Sequence, residues 1–121
     1  MGCPVSWLRL DDKLDEHPKL TRANGHYDAA LSTFVQLGLY CARNLTDGYV
    51  PARVVARFDP AIIALLSEPM DDGRPGLLED AEQGGKVLHD YLDYNPTREK
   101  VEKERVRGKQ RQAEWRDKHK A

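Results

Sequence analysis

The residues best suited to bind a ligand are concentrated near the C-terminal end of the chain. Arginine and lysine recur there in the run Arg105-Val-Arg-Gly-Lys-Gln-Arg-Gln, and Trp115 follows. Guanidinium and ammonium groups bind phosphate oxygens, and an indole ring stacks on a base or anchors a protein partner. The candidate binding residues of this part are Arg98, Arg105, Arg107, Lys109, Arg111, Trp115 and Arg116. A solvated, frayed helix without a partner is the competing interpretation.

Net charge changes sign along the 121-residue chain. Residues 1–96 carry 9 Lys and Arg against 15 Asp and Glu, for a net charge of −6, whereas residues 97–121 carry 10 against 5, for a net charge of +5. The basic part attracts phosphate polyanions or an acidic protein surface, and the acidic part repels both. The chain is therefore predicted to consist of an acidic domain, residues 1–96, and a basic helical or disordered tail, residues 97–121.

Patterns typical of enzymes and metal sites are weak. His89-Asp90 is half of a phosphohydrolase metal pair, but the other three histidines show no matching spacing. Cys41 lies on the apolar stripe of a predicted helix, where a thiol usually belongs to the core. Phosphate-binding glycine loops, paired-cysteine motifs and nucleophile elbows are absent from the sequence. A non-enzymatic protein without a cofactor or metal is expected.

The longest apolar stretch, residues 29–42, is interrupted by polar residues and is shorter than the roughly 20 residues that cross a bilayer. The N-terminus lacks the basic and apolar regions of a secretory signal. The expected location is the cytoplasm, with no membrane partner.

Apolar spacing at i, i+3, i+4 and i+7 from Leu31 predicts a central helix. Asp28 is its expected N-cap, and it is expected to run to about Arg43, with Asn44 closing it in the left-handed conformation. Before it, residues 7–10 alternate weakly and predict a short strand or extended arm that packs Trp7 inward.

Shorter elements follow an Asp47-Gly48 turn and a brief extended piece. Pro51 is expected in the first turn of a second helix, and Asp59-Pro60 as the N-cap and first residue of a third. Leu77-Leu78 and Val87-Leu88 flank a glycine-containing turn and predict a β-hairpin. The predicted fold class is mainly α with a small β-hairpin: a winged helix-turn-helix followed by a basic C-terminal helix or tail.

The third helix of a helix-turn-helix usually reads base edges. Residues 59–68 contain no Lys, Arg, Asn or Gln, so base reading by this helix is not expected. Arg53 and Arg57, spaced i, i+4 on the second helix, and Arg43 at the end of the first are candidate phosphate contacts, as is Lys86 on the wing. The alternative is a solvated face that pairs with acidic neighbours.

A helix in the tail has local support. Asn95 is its expected cap and Pro96 its first residue. Three ion pairs are expected at i, i+4 spacing: Arg98 with Glu102, Glu99 with Lys103, and Lys100 with Glu104. The tail has few apolar residues to bury against residues 1–96, the acidic body of the protein.

Three features carry a family resemblance: the helix at residues 31–42, the step Asp47-Gly48-Tyr49-Val50-Pro51, and the ending at residues 89–98. With them, the chain resembles small winged-helix proteins of actinobacterial phages, which are similar to N-terminal domains of DnaD-like replisome organisers and phage replication initiators. Residues 7–12 look like the opening of that family. The resemblance implies a winged-helix domain that binds DNA or assembles on a replication-origin complex, followed by a variable tail.

Two functions fit these observations. The first is a non-enzymatic winged-helix protein that binds double-stranded DNA mainly through its basic tail, in replication initiation or transcriptional regulation. The second is an interaction module whose acidic winged-helix body binds a host or phage replication protein without reading DNA. A homodimer through the central helices or the tail fits either function.

Overall fold

The computed structural model describes residues 7–21 and 25–119. This part of the chain is mainly helical, with one three-stranded antiparallel sheet and a long C-terminal helix. A 3₁₀ turn at Leu14–Glu16 precedes the elements α1 Pro18–Thr21, α2 Tyr27–Asn44, β1 Tyr49–Val50, α3 Ala52–Val55, α4 Pro60–Ser67, β2 Leu78–Asp80, β3 Lys86–Leu88, α5 Tyr91–Tyr94 and α6 Arg98–Lys118.

The predicted central helix is confirmed as α2, which packs against α4. Its buried residues include Ala30, Phe34, Leu37 and Cys41, spaced as one face of a helix. They form a single core with α4 and the sheet.

The predicted N-cap of α2 is wrong by two residues and the predicted C-terminal end by one. The helix begins at Tyr27, so Asp28 lies in the first turn. Its carboxylate there interacts favourably with the positive end of the helix dipole. Leu45, at φ 52°, adopts the left-handed conformation expected of Asn44. Asn44 instead remains in the helix, and its side chain donates a hydrogen bond to the Tyr40 carbonyl at 3.0 Å.

The predicted hairpin is confirmed, and the extended piece before α3 joins it as a third strand. The strand order is β1-β3-β2, with Tyr49 opposite Val87 and Leu78 opposite Leu88. Gly85 is required in the turn because its φ is 82° and a Cβ there would lie 2.2 Å from the Val50 carbonyl oxygen.

The N-terminal arm, residues 7–10, forms no strand, and the prediction that Trp7 packs inward is wrong. Trp7 is 78% exposed. Leu8 packs inward instead, against Gly38 of α2, where an added Cβ would lie 3.0 Å from its Cδ2 atom. The absent side chain of Gly38 therefore decides which arm residue is buried.

The last helix begins later than the sequence predicts. Thr97 is the N-cap of α6, and its Oγ1 accepts a hydrogen bond from the Lys100 backbone N–H at 3.2 Å. Asn95 does not cap α6 because its side chain is buried in contacts with Arg9 and Tyr91. Within the described ranges, no helix is long and apolar enough to cross a bilayer.

Candidate nucleic-acid interface

The start of α6 is held on the body by a carboxylate. Asp47 Oδ1 accepts a hydrogen bond from the Arg98 backbone N–H at 2.6 Å. A carboxylate at a helix N-terminus satisfies a free N–H group and interacts favourably with the helix dipole. Asp47 and Thr97 together therefore fix where α6 begins and how it leaves the body.

One stripe of α6 faces the body. Val101, Arg105 and Gly108, spaced i, i+4 and i+7, are half-buried, and no α6 residue is fully buried. Every residue from Lys109 to the end of the helix is exposed. The helix thus turns one stripe of its first half towards the body and presents its second half to solvent over about 15 Å.

Two of the three predicted ion pairs of α6 form. Arg98 Nε lies 2.9 Å from Glu102 Oε1, and Lys103 Nζ lies 3.0 Å from Glu99 Oε1. The pair between Lys100 and Glu104 does not form among the described residues. Arg98 is therefore partly neutralised within its own helix.

Four of the predicted binding cations of α6 remain unpaired. No carboxylate of residues 7–21 or 25–119 lies within 4 Å of their charged groups. These four cations are Arg107, Lys109, Arg111 and Arg116. Body carboxylates do not neutralise these four, so their charge is available to an external anion.

Trp115 lies on the same side of α6 as Gly108, beyond the half-buried stripe. It is 61% exposed, and its ring stacks on His119 with 4.2 Å between centroids and an interplanar angle of 18°. The stack presents a flat, partly apolar surface beside the unpaired cations.

The body cations are less favourably placed. Arg43, Arg53 and Arg57 are exposed, but α3 ends at Val55, so the predicted helical i, i+4 face of Arg53 and Arg57 does not exist. Arg57 lies in the turn after the helix, where its N–H donates to the Val54 carbonyl at 3.0 Å.

Lys86 is neutralised by the register of the hairpin. It lies directly opposite Asp80, its Nζ is 2.5 Å from Asp80 Oδ1, and its side chain is only 18% exposed. Opposite charges at facing positions on one side of an antiparallel pair interact favourably. The hairpin therefore offers no unpaired Lys86 ammonium, and the other charges near its tip are acidic.

The exposed face of α4 carries no hydrogen-bond donors for base edges. Ile62, Ile63 and Leu66 are buried, while Pro60, Ala61 and Ala64 are exposed. Asp59, the predicted N-cap, accepts a hydrogen bond from the Ala61 N–H at 2.9 Å, which confirms the predicted start of the helix.

The titratable groups of the body serve structural contacts. His89 bridges two carboxylates, with Nδ1 2.5 Å from Glu79 and Nε2 3.1 Å from Asp90. Burial raises the pKa of the Asp90 carboxyl, and His89 beside it acts in the opposite direction. Burial also raises the pKa of the Cys41 thiol, which disfavours the thiolate. In the described ranges, no three His, Cys, Asp or Glu side chains are grouped to hold a metal.

The sequence did not identify Arg9 of the N-terminal arm as a candidate binding residue. Arg9 and Trp7 of the arm line the same groove as Arg111 of α6. The only local signal was the alternation of Trp7 and Arg9 with two leucines, because the hydrogen bonds that place the arm come from Asn95.

Comparison of the chain with protein-family models, curated proteins and solved structures gives no significant match.

Proposed function

We propose that this protein binds double-stranded DNA without catalysis, mainly through α6. The observation that carries the proposal is the set of four exposed α6 cations that have no carboxylate within 4 Å in the described chain. Phosphate contacts by Lys and Arg supply most sequence-independent affinity for DNA. At physiological ionic strength charges are screened over about 8 Å, so cations on a projecting helix act largely independently of an acidic body.

The body is proposed to be a winged helix. The order α2, β1, α3, α4, β2, β3 and the strand order β1-β3-β2 support this assignment. In such a domain α4 would occupy the recognition position, but its exposed Pro60, Ala61 and Ala64 offer no donors. The proposed binding is therefore to the DNA backbone, either in replication initiation, as the family resemblance implies, or in transcriptional regulation.

A salt series tests the proposal. Affinity for a duplex is measured by fluorescence anisotropy between low and moderate salt for the full chain and for Arg107→Gln/Arg116→Gln. Neutralising two phosphate contacts should flatten the slope of log affinity against log salt by about 2. The matched control is Lys13→Gln/Arg74→Gln, which changes the net charge equally on the body and should leave the slope unchanged.

Two results would contradict the proposal. One is the absence of duplex binding by the unmodified protein even at low salt. The other is an equal loss for the α6 variant and the body control, which would indicate that only total charge matters.

A second function is favoured by the surface of α4. Small exposed residues at Ala61 and Ala64 allow close approach of another protein, and the net charge of the body is acidic. On this alternative, the body binds a replication or regulatory protein with a basic surface. Ala64→Arg would then abolish the complex, whereas Arg107→Gln/Arg116→Gln would leave it intact.

A further inference from the structure

A groove of about 300 Å³ lies between the N-terminal arm and α6. Trp7 and Arg9 line it from the arm, Tyr91 lines its floor, and Gly108 and Arg111 line it from α6. Its volume is at the lower end of the range for ligand sites in proteins, so it suits one small group.

The charges of the groove favour an anion. Arg9 and Arg111 both reach it, and no carboxylate in the described part of the chain lies within 4 Å of either guanidinium. Arg105 also lines the groove, against a single acidic residue, Glu104. A guanidinium binds a phosphate through two parallel hydrogen bonds, which an ammonium cannot do.

An aromatic ring stands at the same groove. Trp7 is 78% exposed, although the next two residues of the arm are fixed by the packing of Leu8 on Gly38 and by the hydrogen bonds of Arg9 to Asn95. A large ring held at a fixed backbone position loses little entropy when a flat partner stacks on it.

The wall formed by α6 has a gap at Gly108. Glycine in a helix interior is unfavourable relative to alanine. The packing of α6 on the body does not require glycine at this position, because a Cβ added at Gly108 would meet no atom within 4 Å. The missing side chain leaves space in the groove between Trp7 and Arg111.

We propose that this groove binds one unpaired nucleotide of single-stranded DNA, with the base stacked on Trp7 and the phosphate bound by Arg9 and Arg111. The proposal rests on the proposed function and deepens it, because it assigns single strands to a groove that shares only Arg111 with the four α6 cations proposed to contact duplex DNA. A planar base and an adjacent phosphate match an exposed ring and two arginines in one groove. A base in a duplex is already stacked and paired, so only an unpaired nucleotide enters.

The test follows quenching of Trp7 fluorescence by a short oligothymidine in the full chain carrying Trp115→Phe, so that Trp7 is the only tryptophan. Gly108→Leu fills the groove without changing charge and should weaken oligothymidine binding at least tenfold. Ala113→Leu introduces the same side chain at an exposed position of the same helix and should have no effect. Duplex binding, measured by anisotropy, should be unchanged in both.

Folding is checked by thermal unfolding, in which Gly108→Leu should unfold at or above the temperature of the parent because leucine is the better helix former. Arg111→Gln provides a second variant and should also weaken oligothymidine binding.

Equal oligothymidine binding by Gly108→Leu and Ala113→Leu would overturn the groove assignment while duplex binding still supported the proposed function. Competition by polyglutamate as effective as by oligothymidine would assign the groove to acidic peptides instead. Absence of both single-strand and duplex binding would overturn both proposals.

Discussion

The side chain of Asn95 holds the backbone of Arg9, although the two residues are 86 positions apart. Asn95 Oδ1 accepts a hydrogen bond from the Arg9 N–H at 2.7 Å, and Nδ2 donates to the Arg9 carbonyl at 3.2 Å. Nδ2 also donates to the Tyr91 carbonyl at 3.1 Å, and the residue is only 6% exposed. One amide therefore joins the N-terminal arm to the turn that precedes α6.

Replacing Asn95 with alanine should release the arm. The variant loses three hydrogen bonds and leaves backbone groups of Arg9 without partners, so we expect the free energy of unfolding to fall by about 1 to 3 kcal/mol. Urea unfolding measures the loss, and hydrogen exchange at the Arg9 amide should accelerate. Asn44→Ala removes an exposed amide with one hydrogen bond and should change stability by less than about 0.5 kcal/mol. Equal effects of the two changes would contradict the role of Asn95.

Asp47 should stabilise the docked start of α6. Asp47→Ala removes the acceptor for the Arg98 N–H and places alanine at φ 56°, so we expect a loss of about 1 to 2 kcal/mol. Asp47→Asn keeps an oxygen acceptor and a residue that tolerates the left-handed conformation, and should lose less. Urea unfolding and exchange at the Arg98 amide measure both. Equal unfolding free energies for Asp47→Ala and Asp47→Asn would contradict a stabilising role for the Asp47 side-chain acceptor.

Alkaline pH should destabilise the fold through Tyr91. Burial raises the pKa of its phenol to about 12, from the usual 10.0. The folded state then keeps a proton that the unfolded state releases, so stability is full below pH 10 and is lost as the pH rises towards 12. The loss should reach about 2 to 3 kcal/mol. In Tyr91→Phe, unfolding free energies between pH 9 and 12 should decline less steeply than in the unmodified protein, and an identical decline would exclude Tyr91 as its source.

Lys86 should be dispensable for DNA binding. Its ammonium is paired with Asp80 at 2.5 Å, so Lys86→Gln removes no cation that DNA can reach. We expect duplex affinity within about twofold of the unmodified protein, against a clear loss for Arg107→Gln. Anisotropy titrations at one salt concentration compare the two single variants, which change net charge equally. A larger loss for Lys86→Gln would place the wing at the DNA.

Local signals in the sequence were sufficient for several elements. The apolar spacing from Leu31 predicted α2, and the glycine turn between Leu78 and Val87 predicted the hairpin. Asp59 before Pro60 predicted the start of α4. Each signal lies within a few residues of the element it specifies, because caps, turns and helix faces depend on near neighbours.

The sequence by itself also determined the separation of charge into an acidic body and a basic helix, since charge is fixed by composition. Which cations remain available was decided only by the tertiary structure: the hairpin register neutralises Lys86, and the early end of α3 leaves Arg57 outside the helix that carries Arg53. Long-range hydrogen bonds likewise draw Asn95 away from the start of α6, and the space above Gly38 admits Leu8 while Trp7 stays outside. These outcomes depend on contacts between residues far apart in the chain, which local periodicity does not encode.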